Sequence, residues 1–159
     1  MSMESDKMYL SQATDLAREG IRTGRGGPFG CVIVRNGEVI GQGSNAVTST
    51  NDPTAHAEIV AIREACRRLG HHQLTECTLY ASCEPCPMCL GAIYWARPVR
   101  VVYGATRRQA AAAGFDDDLI YREIGLPQAD RKIPFDFQPD DAVEEVFEMW
   151  RAMGNKTLY

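Results

Sequence analysis

The sequence predicts a single α/β domain, residues 1–159, built on a mixed sheet of about five strands. Residues 28–45 contain two β-rich runs joined by Asn36-Gly37, a pair that tolerates the positive φ angles of a two-residue hairpin turn. The hairpin predicts antiparallel strands. Residues 77–82 and 99–105 are strand-like runs separated by a helix-like segment long enough for a crossover, which predicts parallel strands.

Helical periodicity accounts for the chain on either side of the hairpin. The run 8–21 places apolar residues at helical spacing, with Ser5 or Asp6 available as a cap. Residues 55–69 place apolar side chains on one face and arginines on the other. This second run predicts a helix half buried against the sheet.

The last third of the chain predicts two helical pieces separated at Gly114, then an edge strand and a further helix over residues 140–153. The edge strand is assigned to "KIPFDF", residues 132–137, because a proline is tolerated at the edge of a sheet. This strand brings the predicted sheet to about five strands.

The composition is that of an ordinary globular protein, with 45% hydrophobic and 24% charged residues. No apolar run approaches the roughly 18 residues needed to cross a bilayer. The N-terminus lacks the basic start and apolar stretch of an export signal. We therefore expect a cytoplasmic protein that does not enter a membrane.

The charge distribution disfavours a long nucleic acid as a partner. The net charge is −4, and a local basic patch at Arg63, Arg67 and Arg68 is outweighed by an acidic segment that would repel phosphates. Between Lys132 and Arg151 the charged residues are all acidic: Asp136, Asp140, Asp141, Glu144, Glu145 and Glu148.

The six cysteines favour a metal site over disulfides, because three of them lie within residues 83–89 and the others lie in apolar runs. Cys86 and Cys89 are three residues apart, so both can face one ion from the start of a helix, where the N–H groups favour thiolates. Alone, this pair also fits a redox motif or half of a zinc ribbon. The sequence has no separate second C-x2-C for a ribbon, since the other such spacing, Cys83 to Cys86, shares Cys86.

His56 and Glu58 begin the predicted helix 55–69, where side chains of the first turn can converge beyond the helix end. One histidine and two thiolates give zinc three ligands and leave the fourth tetrahedral position for water. A carboxylate beside such a metal can carry protons. The set therefore predicts hydrolytic chemistry.

His56-Ala57-Glu58 followed by Pro85-Cys86-x-x-Cys89 resembles the signature of the zinc nucleobase and nucleoside deaminases. The segments "GGPFG", "TSTNDPTAHAE", "SCEPCPMCLGAIYWARP" and "GFDDDLIYREI" resemble the bacterial guanine deaminases of this cytidine deaminase-like superfamily, essentially to Tyr159. The resemblance implies a three-layer cytidine deaminase-like fold with helices on both faces of the sheet.

The resemblance also implies the reaction and the metal site. His56, Cys86 and Cys89 hold one Zn²⁺ per subunit, with a catalytic water in the fourth position, and Glu58 is the proton shuttle. Guanine would then be converted to xanthine and ammonia, a step of purine catabolism or salvage.

The expected substrate contacts follow from the same resemblance. Asn45 supplies an amide, Asp117 a carboxylate and Phe29 a stacking face, and the terminal Tyr159 closes the pocket. Relatives of this kind form homodimers that exchange a C-terminal segment, here about residues 130–159. Trp95 and Tyr159 would then serve the partner's active site.

Several alternatives remain open at this point. Asp116, Asp117 and Asp118 also fit an acidic helix start, and the sequence leaves open which of them faces a ligand. Guanosine, cytosine, cytidine or transfer RNA adenosine could replace guanine as the substrate. Outside that class stand a structural zinc-binding module, which would need a fourth protein ligand, and a thiol redox protein that uses Cys86 and Cys89.

Overall fold

A four-stranded mixed sheet forms the centre of the protein in the computed structural model, which describes residues 2–115 and 117–159. The strand order is β2-β1-β3-β4; β1 pairs antiparallel with β2 and β3, and β3 pairs parallel with β4. The mixed sheet is therefore confirmed. The strands are β1 (Gly30–Arg35), β2 (Glu38–Ser44), β3 (Cys77–Cys83) and β4 (Arg100–Ala105).

The chain divides into two compact units, one ending at Ile120 and the other comprising Tyr121–Tyr159. The first unit contains the whole sheet. A 3-10 helix (Gln128–Asp130) lies in the second unit. The α-helices are α1 (Met3–Arg22), α2 (Val47–Thr50), α3 (Ala57–Leu69), α4 (Pro87–Ala96), α5 (Arg107–Ala112), α6 (Asp117–Ile124) and α7 (Asp141–Ala152).

The turn between β1 and β2 has the predicted hairpin geometry. Asn36 and Gly37 both have positive φ, 51° and 82°. Two successive positive φ values match the right-handed twist of the flanking strands. The local sequence therefore determines this hairpin.

Helices cover both faces of the sheet, which confirms the three-layer arrangement. Side chains of successive strand residues point to opposite faces. On one face α1 packs through Tyr9 and Ala13 against Val32, Val34 and Tyr80. On the other face α3 and α4 bury the alternate residues of β1 and β3, with Cys31, Ile33, Leu79 and Ala81 in this cluster.

The helix α3 approaches β2 closely because β2 has glycines on the facing side. A Cβ on Gly41 would lie 2.5 Å from the carbonyl oxygen of Ala61, and one on Gly43 would lie 2.5 Å from that of Ala57. Such contacts are impossible for real side chains. The glycines of β2 and the alanines of α3 thus fix where α3 lies on the sheet.

Two sequence expectations differ from the structure. The predicted strand 132–137 is irregular, and the sheet has four strands. Pro134 has no N–H to donate, and the Lys132 N–H donates to Glu123 Oε2 at 2.7 Å instead of to a neighbouring strand. The first helix begins earlier than expected, with Ser2 rather than Ser5 or Asp6 as its cap.

The second unit lacks a core of its own. Among its described residues no side chain is buried. Several large apolar side chains are exposed, among them Phe137 (83%), Ile133 (72%) and Met149 (69%). In the described chain no helix is both long and apolar enough to cross a membrane.

Asp6 connects α1 to the two strands β3 and β4. Arg100 donates to both of its carboxylate oxygens, at 3.0 and 2.8 Å, and the Tyr80 hydroxyl donates to Asp6 Oδ1 at 2.8 Å. The hydrogen bonds from Arg100 and Tyr80 lower the pKa of Asp6 below its ordinary value of 3.8. The charged carboxylate is therefore the form that stabilises the fold.

Replacing Asp6 by Asn should lower the melting temperature at pH 7 by several degrees. A lowered folded-state pKa contributes stability above pH 3.8 that is lost as the pH falls through the folded pKa. The deficit of Asp6→Asn should therefore shrink in thermal melts below pH 4. Asp15→Asn, which removes an exposed pair with Arg18 within α1, is the matched control and should change little. A deficit that is equal at pH 3 and pH 7 would contradict the assignment.

Candidate active site

Two helix starts bring three metal-ligand candidates together. His56 is the N-cap residue of α3, Cys86 is the N-cap residue of α4, and Cys89 lies in the first turn of α4. The sulfurs of Cys86 and Cys89 each lie 3.5 Å from His56 Nδ1. All three donor atoms lie within 4.8 Å of one another. The two segments found in the sequence thus build one site.

The local sequence explains how both helices begin at this site. Pro87 occupies the first turn of α4, where a missing N–H has no cost, so the helix starts directly after Cys86. The N-cap side chains His56 and Cys86 make no capping hydrogen bond to their own helices. Both side chains are therefore directed to each other rather than to the helix backbone.

The donor set and its spacing fit zinc. Zinc bonds to nitrogen at about 2.0–2.1 Å and to sulfur at about 2.3 Å. With the tetrahedral angle between these two bonds, the nitrogen and the sulfur lie about 3.6 Å apart. The observed separation is 3.5 Å for both sulfurs. Histidine nitrogen and cysteine sulfur are the ligands zinc prefers, and three of them match a catalytic rather than a structural site.

Of the three ligand candidates, Cys86 is the one whose surroundings favour the anion, while Cys89 and His56 hold their protons more tightly. Hydrogen bonds from Cys89 and then from His56 lower the pKa of Cys86 to about 4. The hydrogen bond with Cys86, together with burial, raises the pKa of Cys89. The hydrogen bond with Cys86 also raises the pKa of His56. A thiolate at Cys86 also benefits from the positive end of α4.

Glu58 is buried beside the ligands without being part of the ligand group. It lies in the first turn of α3 and is 7% exposed. Burial raises the pKa of its carboxyl. The raised pKa makes the carboxyl a stronger base than an exposed one, which suits a group that has to accept a proton.

A cavity of about 350 Å³ opens onto this group. The volume is in the range of small-molecule sites, and the lining combines aromatic rings with a few polar groups. Of the predicted site residues, it contains His56, Glu58, Cys86, Asn45, Phe29 and Asp117; the other residues are Gly27, Val47, Thr48, Glu84, Phe115 and Ile120.

Asn45 has one hydrogen-bonding group left for a ligand. Its Oδ1 accepts from the backbone N–H groups of Gly27 and Val47, each at 3.2 Å. These two donors fix the amide orientation, so the NH₂ group is what Asn45 offers to the cavity. The close approach needs Gly26, where a Cβ would lie 2.4 Å from Asn45 Oδ1.

Phe29 and Phe115 form the aromatic wall of the cavity. Their ring centroids lie 4.7 Å apart at an interplanar angle of 78°, an edge-to-face contact. Phe29 is held at the start of β1, since its carbonyl accepts from the Asn45 N–H at 3.0 Å. The backbone of Phe29 is therefore fixed, and its ring lines the cavity from a fixed position.

The three consecutive aspartates differ in position. Asp117 lines the cavity, and its charge is among those that raise the pKa of His56. Asp118 is exposed and lines an adjacent depression instead. Asp116 lies outside the described residues.

Two predicted substrate contacts lie elsewhere. Trp95 is on α4, is 63% exposed and is not among the residues that line this cavity. Tyr159 belongs to the second unit, where it is 70% exposed. Their roles remain predictions that depend on a partner subunit.

Sequence reasoning missed six lining residues of the site, and Glu84 and Phe115 are the two of them that stand directly beside a motif. Glu84 directly precedes the motif Pro85-Cys86, and its Oε2 accepts from the Arg107 N–H at 2.9 Å, which ties the end of β3 to the start of α5. Phe115 directly precedes the aspartates. In both cases the sequence signal that could have indicated the residue was its position directly beside a motif.

The remaining cysteines and histidines lie outside the ligand group. The Cys83 thiol lies 3.8 Å from the carbonyl oxygen of Thr106 and is outside the ligand group. His71 and His72 are exposed and stack on each other with centroids 4.5 Å apart. Cys31 and Cys77 are fully buried in the core, and Cys66 packs against it.

Residues 3–105 match the cytidine and deoxycytidylate deaminase zinc-binding region. The chain is 55% identical to the guanine deaminase of Bacillus subtilis (strain 168) over 151 residues, which is 95% of this chain and 97% of the relative. It is 33% identical to the tRNA-specific adenosine deaminase of Aquifex aeolicus (strain VF5) over 132 residues, 82% and 85% of the two chains.

A solved structure agrees over the whole chain. The X-ray structure of guanine deaminase from Bacillus subtilis superposes with a TM-score of 0.94 at 53% identity and covers 100% of this chain and 99% of that one. The likeness thus includes both compact units and the segment after residue 105.

Replacing Gly26 by Ala should displace Asn45 and destabilise the protein by about 1–3 kcal/mol, the usual range for overpacking. A Cβ at this position would lie 2.4 Å from Asn45 Oδ1, so the amide has to move. Denaturant melts measure the change. Gly91→Ala is the control, because a Cβ there has no atom within 4 Å and should stabilise α4 by about 1 kcal/mol. Equal effects of the two substitutions would contradict the contact.

Proposed function

The chain belongs to the cytidine and deoxycytidylate deaminase zinc-binding family, and from this membership we infer that it catalyses the hydrolytic deamination of guanine to xanthine and ammonia. The observation that carries the inference is the His56, Cys86 and Cys89 group with the buried carboxyl of Glu58 beside it. A structural zinc site fills all four positions with protein ligands and has no use for such a carboxyl.

His56, Cys86 and Cys89 bind one Zn²⁺ per subunit in this proposal, and the fourth position is left for the catalytic water. Zinc supplies Lewis acidity, which makes water a competent nucleophile near neutral pH. His56 and Cys86 line the cavity, so an ion bound to them would face the substrate.

Glu58 moves the protons of the reaction. Its carboxylate takes a proton from the attacking water and delivers it to guanine N3, the ring nitrogen next to the reacting carbon C2. It then takes the proton of the hydroxyl group now on C2 and transfers it to the departing amine. The C2–O bond becomes a carbonyl, the C2–N bond breaks and ammonia leaves. Burial of Glu58 supports this role, because the raised pKa allows both transfer directions.

The proposed substrate contacts match the groups that guanine presents. The NH₂ group of Asn45 is free to donate to the O6 acceptor, since its Oδ1 is already used by two backbone N–H groups. Asp117 accepts from a ring N–H, and Phe29 packs against the face of the base. These assignments rest on the position of the three side chains in one cavity.

We further propose that residues 1–159 act as one deaminase domain in a homodimer that exchanges about residues 130–159. The exposed apolar side chains of the second unit support a partner that covers them. Trp95 and Tyr159 then serve the active site of the partner subunit. Thiolate ligands require a reducing compartment, which supports a cytoplasmic location.

Glu58→Gln should reduce kcat for guanine by about 10²–10⁴-fold, the usual contribution of a general acid and base, and should leave the zinc content unchanged. Loss of guanine absorbance with xanthine appearance measures turnover, and elemental analysis measures zinc. Cys86→Ala should lose both zinc and activity.

Cys83→Ala is the matched control for the ligand assignment, because Cys83 lies three residues before Cys86 but outside the ligand group. It should keep both zinc and turnover. A Glu58→Gln protein that still turns over guanine, or a Cys83→Ala protein that loses zinc, would refute the assigned roles.

Asp117→Asn should lower kcat/KM for guanine by at least about tenfold, because a buried site that hydrogen-bonds a substrate N–H discriminates strongly against a lost partner. Asp118→Asn, one residue further on α6, should leave it unchanged. The assay compares guanine with guanosine, adenosine, cytosine and cytidine. A stronger effect at Asp118, or preferred turnover of another substrate, would place recognition elsewhere.

A further inference from the structure

A second cavity lies directly behind the aromatic wall of the active site. It measures about 590 Å³, against about 350 Å³ for the cavity at the metal ligands. Among the residues that the structure describes, Phe29 and Phe115 are the two that line both cavities. Their edge-to-face pair is therefore the partition between the two spaces.

The two rings belong to different segments, and the Phe115 N–H donates to the Ala110 carbonyl at 3.2 Å. Phe29 is fixed by the backbone, because its N–H donates to Gly27 and its carbonyl accepts from Asn45. Phe115 lies on the connection between α5 and α6, directly after Gly114 with its positive φ of 93°. Its side chain is the one whose removal would join the cavities without disturbing β1.

The second cavity has the size and the polar groups for a sugar. A ribosyl group has fewer heavy atoms than guanine, and this cavity is the larger of the two. Ser82 Oγ accepts from the Gly30 N–H and retains its hydroxyl proton as a donor. Gln109 Oε1 accepts from Thr106, so its NH₂ group is available to a ligand.

We propose that Phe115 is a specificity-determining residue that restricts the active site to the free base, because its ring closes the route from the site cavity into the second cavity. The inference rests on the proposed function. In this proposal the base lies with C2 at His56 and Cys86 and with N9 toward Phe115, so the ribosyl group of a nucleoside would need the space behind the ring. The free base fits in front of the ring.

Phe115→Ala should raise the ratio of kcat/KM for guanosine to that for guanine by at least about tenfold, within the range that steric changes in a pocket produce. Val47→Ala is the size control, because Val47 lines the site cavity alone and its truncation does not join the two spaces. It should leave the ratio unchanged.

Filling the second cavity provides the decisive comparison. Ala113 lines that cavity and not the active site. Ala113→Phe should leave guanine turnover unchanged in the otherwise natural protein, and should remove the guanosine gain of Phe115→Ala when the two are combined. A gain that survives the filling, or an unchanged ratio in Phe115→Ala, would overturn the proposal.

The outcomes separate this proposal from the proposed function. Guanine turnover by the natural protein tests the function, whereas the guanosine ratio of folded, zinc-loaded Phe115→Ala tests the partition. Phe115→Leu gives the same test, with a smaller gain expected, if the alanine variant does not fold. A natural protein that already prefers guanosine would overturn the partition and leave the zinc chemistry in place.

Discussion

The contact between the glycines of β2 and the alanines of α3 is the constraint on which the active site depends. At Gly41 and Gly43 the helix backbone lies where a Cβ would have to be, so any other residue would push α3 away from the sheet. The first turn of α3 carries His56 and Glu58. A shift of even 1 Å there would separate His56 from Cys86 and Cys89, which belong to another helix, because their present spacing already matches that of zinc ligands.

The site is built at the expense of two helix caps. A good N-cap side chain contributes about 1 kcal/mol by bonding to the first N–H groups of a helix. His56 and Cys86 occupy the N-cap positions of α3 and α4 without making these bonds. Binding of an ion between them would compensate, since an ion bound to the folded state alone stabilises it. The usual N-cap hydrogen bonds are thus absent at the two helices of the site, whereas α5, away from it, has a complete capping box.

Sequence information was sufficient wherever the structure is decided locally. Asn36-Gly37 specifies its turn through backbone conformation, and the strand, helix, strand run from 77 to 105 requires a parallel pair. The motif residues likewise predicted that His56, Cys86 and Cys89 lie together, and the structure brings their donor atoms within 4.8 Å of one another. Residues 132–137 have the composition of a strand, but a strand also needs a partner edge, which no local pattern reports. Phe115 was missed for a similar reason, because its role depends on a ring from β1 and on the space behind it.

The residues proposed for the chemistry all lie within residues 3–105, whereas part of the cavity wall lies after them. Residues 3–105, which match the zinc-binding region, contain His56, Glu58, Cys86 and Cys89. This region holds the reaction in common among deaminases that differ in substrate, because zinc and a carboxyl can hydrolyse any amidine-like carbon placed before them. Asp117 and Phe115 line the same cavity but follow residue 105. Substitutions after β4 can therefore change this part of the wall while β2 and α3 stay as they are. The rigid contact between those two elements keeps the metal ligands in place while the wall of the cavity varies.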